Sequence, residues 1–338
     1  MLLVVADPVF EDHDAGPHHP ERPARHGAVR AGIEAAGLVE ARRPLEVAPA
    51  PREALLRVHP AHHLDRLAAL DAAGGGRCDP DTALGPDSWS TALLAAGAGL
   101  AAVEALDAGH GRSAFLAIRP PGHHATADQS MGFCLLNNVA ITAAAIADRG
   151  ERVVVVDYDA HHGNGTQDIF AADPRVLYVS FHEWPLYPGT GRHDEVGSGP
   201  GEGTTLNVPL PAGATGEHYL AALDRIVAPV VAAFDPHWVL VSAGFDAHRA
   251  DPLTGLALSA GDYPLITERV LALAPPGRSV VFLEGGYDLD ALRDSVAATL
   301  PVLVGERPTR AAEAPTRGGP GGRMVEVVEE FWRDRRGG

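Results

Sequence analysis

Two aspartates and a histidine stand where one metal ion could meet all three. Asp159 and His161 are separated by one residue, just past the run VVVV at 153–156. In an extended chain alternate side chains share a side, so both can reach a common ion. Asp246, in AGFDAHRADP, offers a third donor from another segment. Two carboxylate oxygens and one imidazole nitrogen leave a coordination position open, which is the pattern of a catalytic zinc. His123 and His124 follow Pro120-Pro121-Gly122, on an irregular segment where adjacent side chains can both face a cleft. Amide hydrolysis needs a base for water and an acid for the leaving amine, and a tandem histidine supplies both kinds of group. Each imidazole needs a partner to fix its tautomer, and Asp157 and Asn164 lie beside the ligands to serve. Tyr287 follows Gly285-Gly286, where the chain can turn sharply; a phenol there can donate to a developing oxyanion. Singly, each of these is an ordinary polar residue at the start of a loop. As a set, they are not.

The elements that must position them can be read from hydrophobic periodicity. Apolar, β-branched runs predict strands at Leu2–Ala6, Ala114–Arg119, Arg152–Asp157, Val176–Phe181, His237–Val241 and Ser279–Leu283. Ala- and Leu-rich stretches predict helices near 24–36, 61–73, 88–108, 135–149, 217–233, 260–274 and 288–303. Strands buried on both faces and alternating with helices imply an α/β fold: one open, mostly parallel sheet covered by helices on both faces. In such sheets ligands bind beyond the carboxyl ends of the strands, and RPPGHH, DYDAHHGNG, AGFDAHRADP and EGGYD all follow predicted strands. Gly-rich stretches at 194–203 and 316–322 read as loops. A catalytic domain over 1–304 is expected, then a Gly/Pro-containing linker and short C-terminal helix over 305–338.

Composition narrows the class of partner. The 338 residues are 46% hydrophobic, enough for a large core. The formal net charge is −17, and all 27 basic residues are arginine. That balance argues against nucleic-acid binding, which needs clustered positive charge, and is compatible with a cationic substrate. Cys78 and Cys134 are the two cysteines, too few for a disulfide framework or a cysteine zinc site. MLLVVADPVF reads as a first strand rather than a signal peptide. No apolar run is expected to reach the ~18–20 residues of a membrane span, so no membrane partner and a cytoplasmic location are expected.

Together these motifs resemble the histone deacetylase family, within the arginase–deacetylase superfamily. The matching stretches are HPERPARH at 19–26, RPPGHHA at 119–125, GFCLLNNVA at 132–140 and VDYDAHHGNGTQDIF at 156–170. SFHEWPLYPGTG at 180–191, NVPLPAG at 207–213, SAGFDAHRADPL at 242–253 and LEGGYDL at 283–289 continue in the family's order. The resemblance implies one Zn2+ per chain on Asp159, His161 and Asp246, with Fe2+ or Co2+ as substitutes. It implies His123 and His124 as the catalytic pair, Asp157 as partner of His123, and Tyr287 as the carbonyl-polarising tyrosine. Asn164 stands where the human class I enzymes have Asp, as in the class II enzymes. Phe133 and Tyr187 would wall a narrow acyl-lysine tunnel, Leu253 would stand at its rim, and Asp81 is the candidate acid for holding a substrate backbone. Arg25 would line a cavity under the metal. A structural K+ would use Asp157, Asp159, His161, Ser180 and Phe181.

The implied reaction is hydrolysis of an acetylated amine to free amine and acetate. Acetyl-lysine in protein or peptide is preferred as substrate, because polyamine-selective relatives carry Glu where this chain has Leu253. An acetylpolyamine or another small acetylated amine is the alternative. A ureohydrolase with two Mn2+ would need aspartates at the positions of Gly163 and His248, and a silent acyl-lysine or metal-binding relative would be free to lose Tyr287 and the histidines. Oligomeric state is not readable from these patterns.

Overall fold

The computed structural model describes residues 1–307 and 311–337. Its centre is an eight-stranded sheet, whose strands we number in chain order: β1 Leu2–Val5, β2 Arg42–Pro44, β3 Ser113–Leu116, β4 Val153–Asp157, β5 Val176–Glu183, β6 Thr205–Leu210, β7 Trp238–Ala243 and β8 Ser279–Leu283. The spatial order is β2-β1-β3-β8-β7-β4-β5-β6, and every neighbouring pair is parallel. Helices cover both faces, as the alternating pattern predicts. Along β4 the pleat sends Val154 and Val156 into one core cluster and Val153 and Val155 into the other, so an unbroken apolar run serves two cores.

Two strands of this sheet escape the sequence reading, as does a separate antiparallel pair, Gly76–Arg77 with Ala83–Leu84. β2 is RRP, with no apolar run, and is held as an edge by its ladder with β1. β6 is TLNVPL, the opposite edge; Pro209 weakens it as a sequence signal but is tolerated where one side of the strand is unpaired. The predicted helix over 217–233 is broken into Gly216–Ala222, a π-turn at Leu223–Val227 and Ala228–Phe234. Pro229 has no amide hydrogen and crowds the carbonyl four residues back, which accounts for the widened turn. A short helix, Asn164–Phe170, starts directly after the ligand motif and is too brief for a periodic signal.

The helix Ser88–Asp107 corrects one expectation: by length and composition alone it could cross a membrane. Here 61% of its apolar window is buried inside the protein, with Ala95, Ala96, Ala98 and Ala102 fully enclosed. The C-terminal helix, Gly322–Gly337, buries Val325, Val328 and Trp332 in one of the two cores.

Candidate active site and metal centre

Four strands that are neighbours in the sheet, β3, β8, β7 and β4, end on the same side because they run parallel. The loops beyond them carry His123 and His124, Tyr287, Asp246, and Asp159 with His161. Asp159, His161 and Asp246 each offer a donor atom within 4.8 Å of the others. His161 Nδ1 lies 3.3 Å from Asp159 Oδ1 and 3.2 Å from Asp246 Oδ2. Asp159 and Asp246 are buried and His161 is largely so. Left to protons alone the cluster is strained electrostatically: burial and the Asp159 charge push Asp246 up to about 7, while the two carboxylates outweigh burial and push His161 up to about 10. Buried like charges of this kind call for a cation, and an O, O, N donor set suits a zinc-like ion with an open position.

Backbone donors fix both carboxylates. Asp159 accepts from the amides of His161 at 2.9 Å and Gly285 at 2.7 Å, and Asp246 accepts from Ala160 at 2.8 Å. At Gly285 a Cβ would collide with the Asp246 carboxylate, so the turn before Tyr287 approaches the ligands this closely only as glycine.

Beside the ligands the two histidines stack at 4.0 Å between ring centroids. His123 Nδ1–H donates to Asp157 at 2.9 Å, and His124 Nδ1–H donates to the Asn164 carbonyl oxygen at 2.8 Å. The Asn164 amide nitrogen points at the Met131 sulfur, 3.5 Å away, which leaves its oxygen for His124. Burial alone would lower His123, but the charges of Asp157 and Asp159 hold it well above the ordinary histidine range. Burial and the His123 charge hold His124 well below it. Two adjacent imidazoles are thus biased toward opposite protonation states.

Tyr287 lies between Arg25, whose guanidinium is 4.9 Å from the ring centroid, and Phe133, at 5.9 Å in an edge-on contact. Tyr187 packs edge-on to His124 at 5.1 Å and lies 6.5 Å from His161. Phe133 and Tyr187 therefore stand beside Tyr287 and the His124–His161 pair respectively, where tunnel walls are expected. The Tyr187 loop is fastened by buried histidines: His182 Nε2–H donates to Gly191 O at 2.8 Å, and His162 Nδ1 bonds the Thr190 hydroxyl at 2.8 Å. Phe133 N–H donates to Thr82 Oγ1 at 3.0 Å, and Thr82 in turn donates to Asp81. Asp81 is thus next to one wall, half-buried. Leu253 is 36% exposed, one of few large apolar side chains so open. Of the residues expected to hold K+, Asp157 is in register with Ser180 across β4 and β5, and Phe181 follows Ser180.

Sequence reasoning missed the residues that hold this set in place. Glu284 accepts from the amides of Gly122 at 2.7 Å and His123 at 3.2 Å and from Ser242 Oγ at 3.1 Å; burial pushes it up to about 7. Tyr178 donates to Asp157 at 3.0 Å. Glu21 is fully buried between Arg25 and Arg119. For Glu21 and Glu284 the sole sequence signal is membership of the quoted motifs; Tyr178 has none beyond its place in an apolar strand. The positions a second metal would require are otherwise engaged: Gly163 leaves no room for a Cβ beside Asp157 and Tyr178, and His248 Nε2 bonds Glu313 at 2.8 Å. Among the described residues, Asp159, His161 and Asp246 form the one such metal-holding group.

Comparison with known proteins agrees with this geometry. The family model described as the histone deacetylase domain matches residues 19–303. A protein of Archaeoglobus fulgidus named "Probable deacetylase" is 42% identical over 82% of this chain and 79% of its own length. The "Histone deacetylase-like amidohydrolase" of Pseudomonas aeruginosa is 40% identical over 81% of this chain and 78% of its own. The crystal structure of the HDA15 HD domain superposes with a TM-score of 0.88 at 36% identity, covering 98% of this chain and 95% of that one. Motif order, site geometry and these likenesses agree: the chain belongs to the histone deacetylase family and is a hydrolytic deacetylase.

Proposed function

We propose that the chain hydrolyses the acetyl amide of acetyl-lysine in proteins or peptides, using one Zn2+ held by Asp159, His161 and Asp246. Fe2+ or Co2+ can fill the same donor set, since availability as well as affinity decides loading. The observation that carries this reading is the convergence of a buried three-donor group with two differently partnered histidines. When bound, the ion supplies Lewis-acid polarisation of the acetyl carbonyl and a lowered pKa for water.

The chain's own residues do the rest. Phe133 and Tyr187 exclude water from a slim aliphatic chain, whose methylenes gain roughly 0.8 kcal/mol each on burial. His124, donating through Nδ1 to a neutral amide, keeps a lone pair on Nε2 and takes a proton from the attacking water. His123, held on Asp157, is suited to carry positive charge. As the water oxygen bonds to the acetyl carbon, the Tyr287 hydroxyl donates to the carbonyl oxygen gaining charge. The C–N bond then breaks, the histidine pair returns a proton to the amine, and acetate and free amine leave. Asp157, Asp159 and His161 with Ser180 and Phe181 would hold a structural K+ that fixes the strand ends beneath the site.

Leu253 supports peptide lysine over polyamine. An apolar rim gives no counter-charge to a distal ammonium, whereas Glu there would attract one by about 1–4 kcal/mol at ~4 Å, depending on the effective dielectric. Wild type should therefore show higher kcat/KM on acetyl-lysine peptides than on acetylspermidine-type amines, and Leu253→Glu should shift the ratio toward the polyamine, less so at high salt. A wild type that already prefers the polyamine defeats the lysine reading.

A further inference from the structure

The Tyr287 phenol depends for its aim on its own backbone, because Gly285 and Gly286 precede it and Gly286 has φ +118°. That backbone is held from two sides. On the carbonyl side, Arg25 donates to Glu284 O and to Gly286 O, both at 2.6 Å. On the amide side, Tyr287 N–H donates to Asp251 Oδ2 at 2.7 Å. The other oxygen of the same carboxylate accepts from Leu253 N–H at 2.9 Å. Asp251 is itself buried and anchored by its amide to His248 O at 2.8 Å. One carboxylate thus ties the β7 loop, with its rim residue, to the β8 loop, with its phenol.

We infer that Asp251 is a positioning residue: it aims the Tyr287 phenol at the reacting carbonyl and couples that aim to the rim at Leu253. The inference rests on the role proposed above for Tyr287. Asp251 reaches Tyr287 through a backbone amide and is not among the three metal donors. A carboxylate suits the task because both oxygens accept, whereas an asparagine side chain in its place would present an NH2 group to one of the two amides.

The test is a double-mutant cycle on an acetyl-lysine peptide. Asp251→Asn should lower kcat by roughly 10–100-fold, the scale of one lost charge-assisted hydrogen bond, with KM moving far less and metal content unchanged. Once the phenol is gone there is nothing left to aim, so Asp251→Asn should cost little more in the Tyr287→Phe background. Tyr287→Phe with near wild-type kcat would overturn the reading of the phenol, and the inference with it. An impaired Tyr287→Phe, combined with an Asp251→Asn that is harmless or costs the same factor in both backgrounds, would overturn the inference alone. Hydrogen exchange on the wild type needs no variant. The Tyr287 amide should be protected, and rapid exchange there would contradict its being held by Asp251.

Discussion

What each imidazole bonds on its far side decides what its near side can do. His123 leans on a carboxylate and His124 on an amide, so one is stabilised as a cation and the other as a neutral base. In the proposed reaction Tyr287 completes the set with a donor that matters only once the carbonyl oxygen gains charge. Tyr287→Phe removes just that hydroxyl, and kcat should fall by roughly 10²–10³-fold, the scale for one oxyanion donor. Fold and metal content should survive; the check is steady-state kinetics beside metal analysis of the same preparation. The donors and the histidine pair were legible in sequence because each sits in a short contiguous motif at a strand end. Glu284, Asp251 and Glu21 were not, because what they do depends on partners far along the chain, such as Gly122 for Glu284 and Arg119 for Glu21. No local pattern states such pairings.

The elements converge because four adjacent parallel strands deliver their loops to one edge, and the supports of those loops are themselves titratable. His59 precedes the helix Ala61–Ala72 and pins two segments: its Nδ1–H donates to Ala127 O at 2.9 Å, and its Nε2 accepts from Asn137 N–H at 3.0 Å. Asn137 caps the helix Asn138–Ala147. Protonating Nε2 would set a proton against that amide, and burial pushes His59 down to about 4. The folded pKa lies below the unfolded one, so this contribution is full above pH ~6.5 and drains away as pH falls toward 4, amounting to on the order of 3 kcal/mol. His59→Gln keeps a donor and an acceptor without titrating. Its denaturant stability should therefore fall less than wild type between pH 6.5 and 4; parallel losses would show that His59 is not the group responsible. Buried strands and long helices were readable from periodicity. The edge strands β2 and β6 were not, since backbone pairing rather than apolar pattern defines them. The π-turn at 223–227 was missed because Pro229 sits within an otherwise helical pattern.

At the scale of the whole molecule, described residues beyond 303 are bound into the fold that the family match covers. Glu313 accepts from His248 at 2.8 Å, from Ala260 N–H at 3.1 Å and from Arg249. Thr316 donates to the buried Asp262 through both its amide, at 2.9 Å, and its hydroxyl, at 2.8 Å. These contacts brace the returning limb of the loop that carries Asp246 and Leu253, and a compositional reading of 305–338 as Gly- and Pro-containing chain gave no hint of them. This scaffold is proposed to hydrolyse acetyl-lysine through a single ion at Asp159, His161 and Asp246. The most direct measurement is acetate release from an acetyl-lysine peptide by chelated protein titrated with Zn2+. Activity should vanish on chelation, return in proportion to added zinc, and level off at one ion per chain, with Asp246→Ala silent throughout. Full acetate release by the chelated protein, or a plateau requiring two ions per chain, would contradict it.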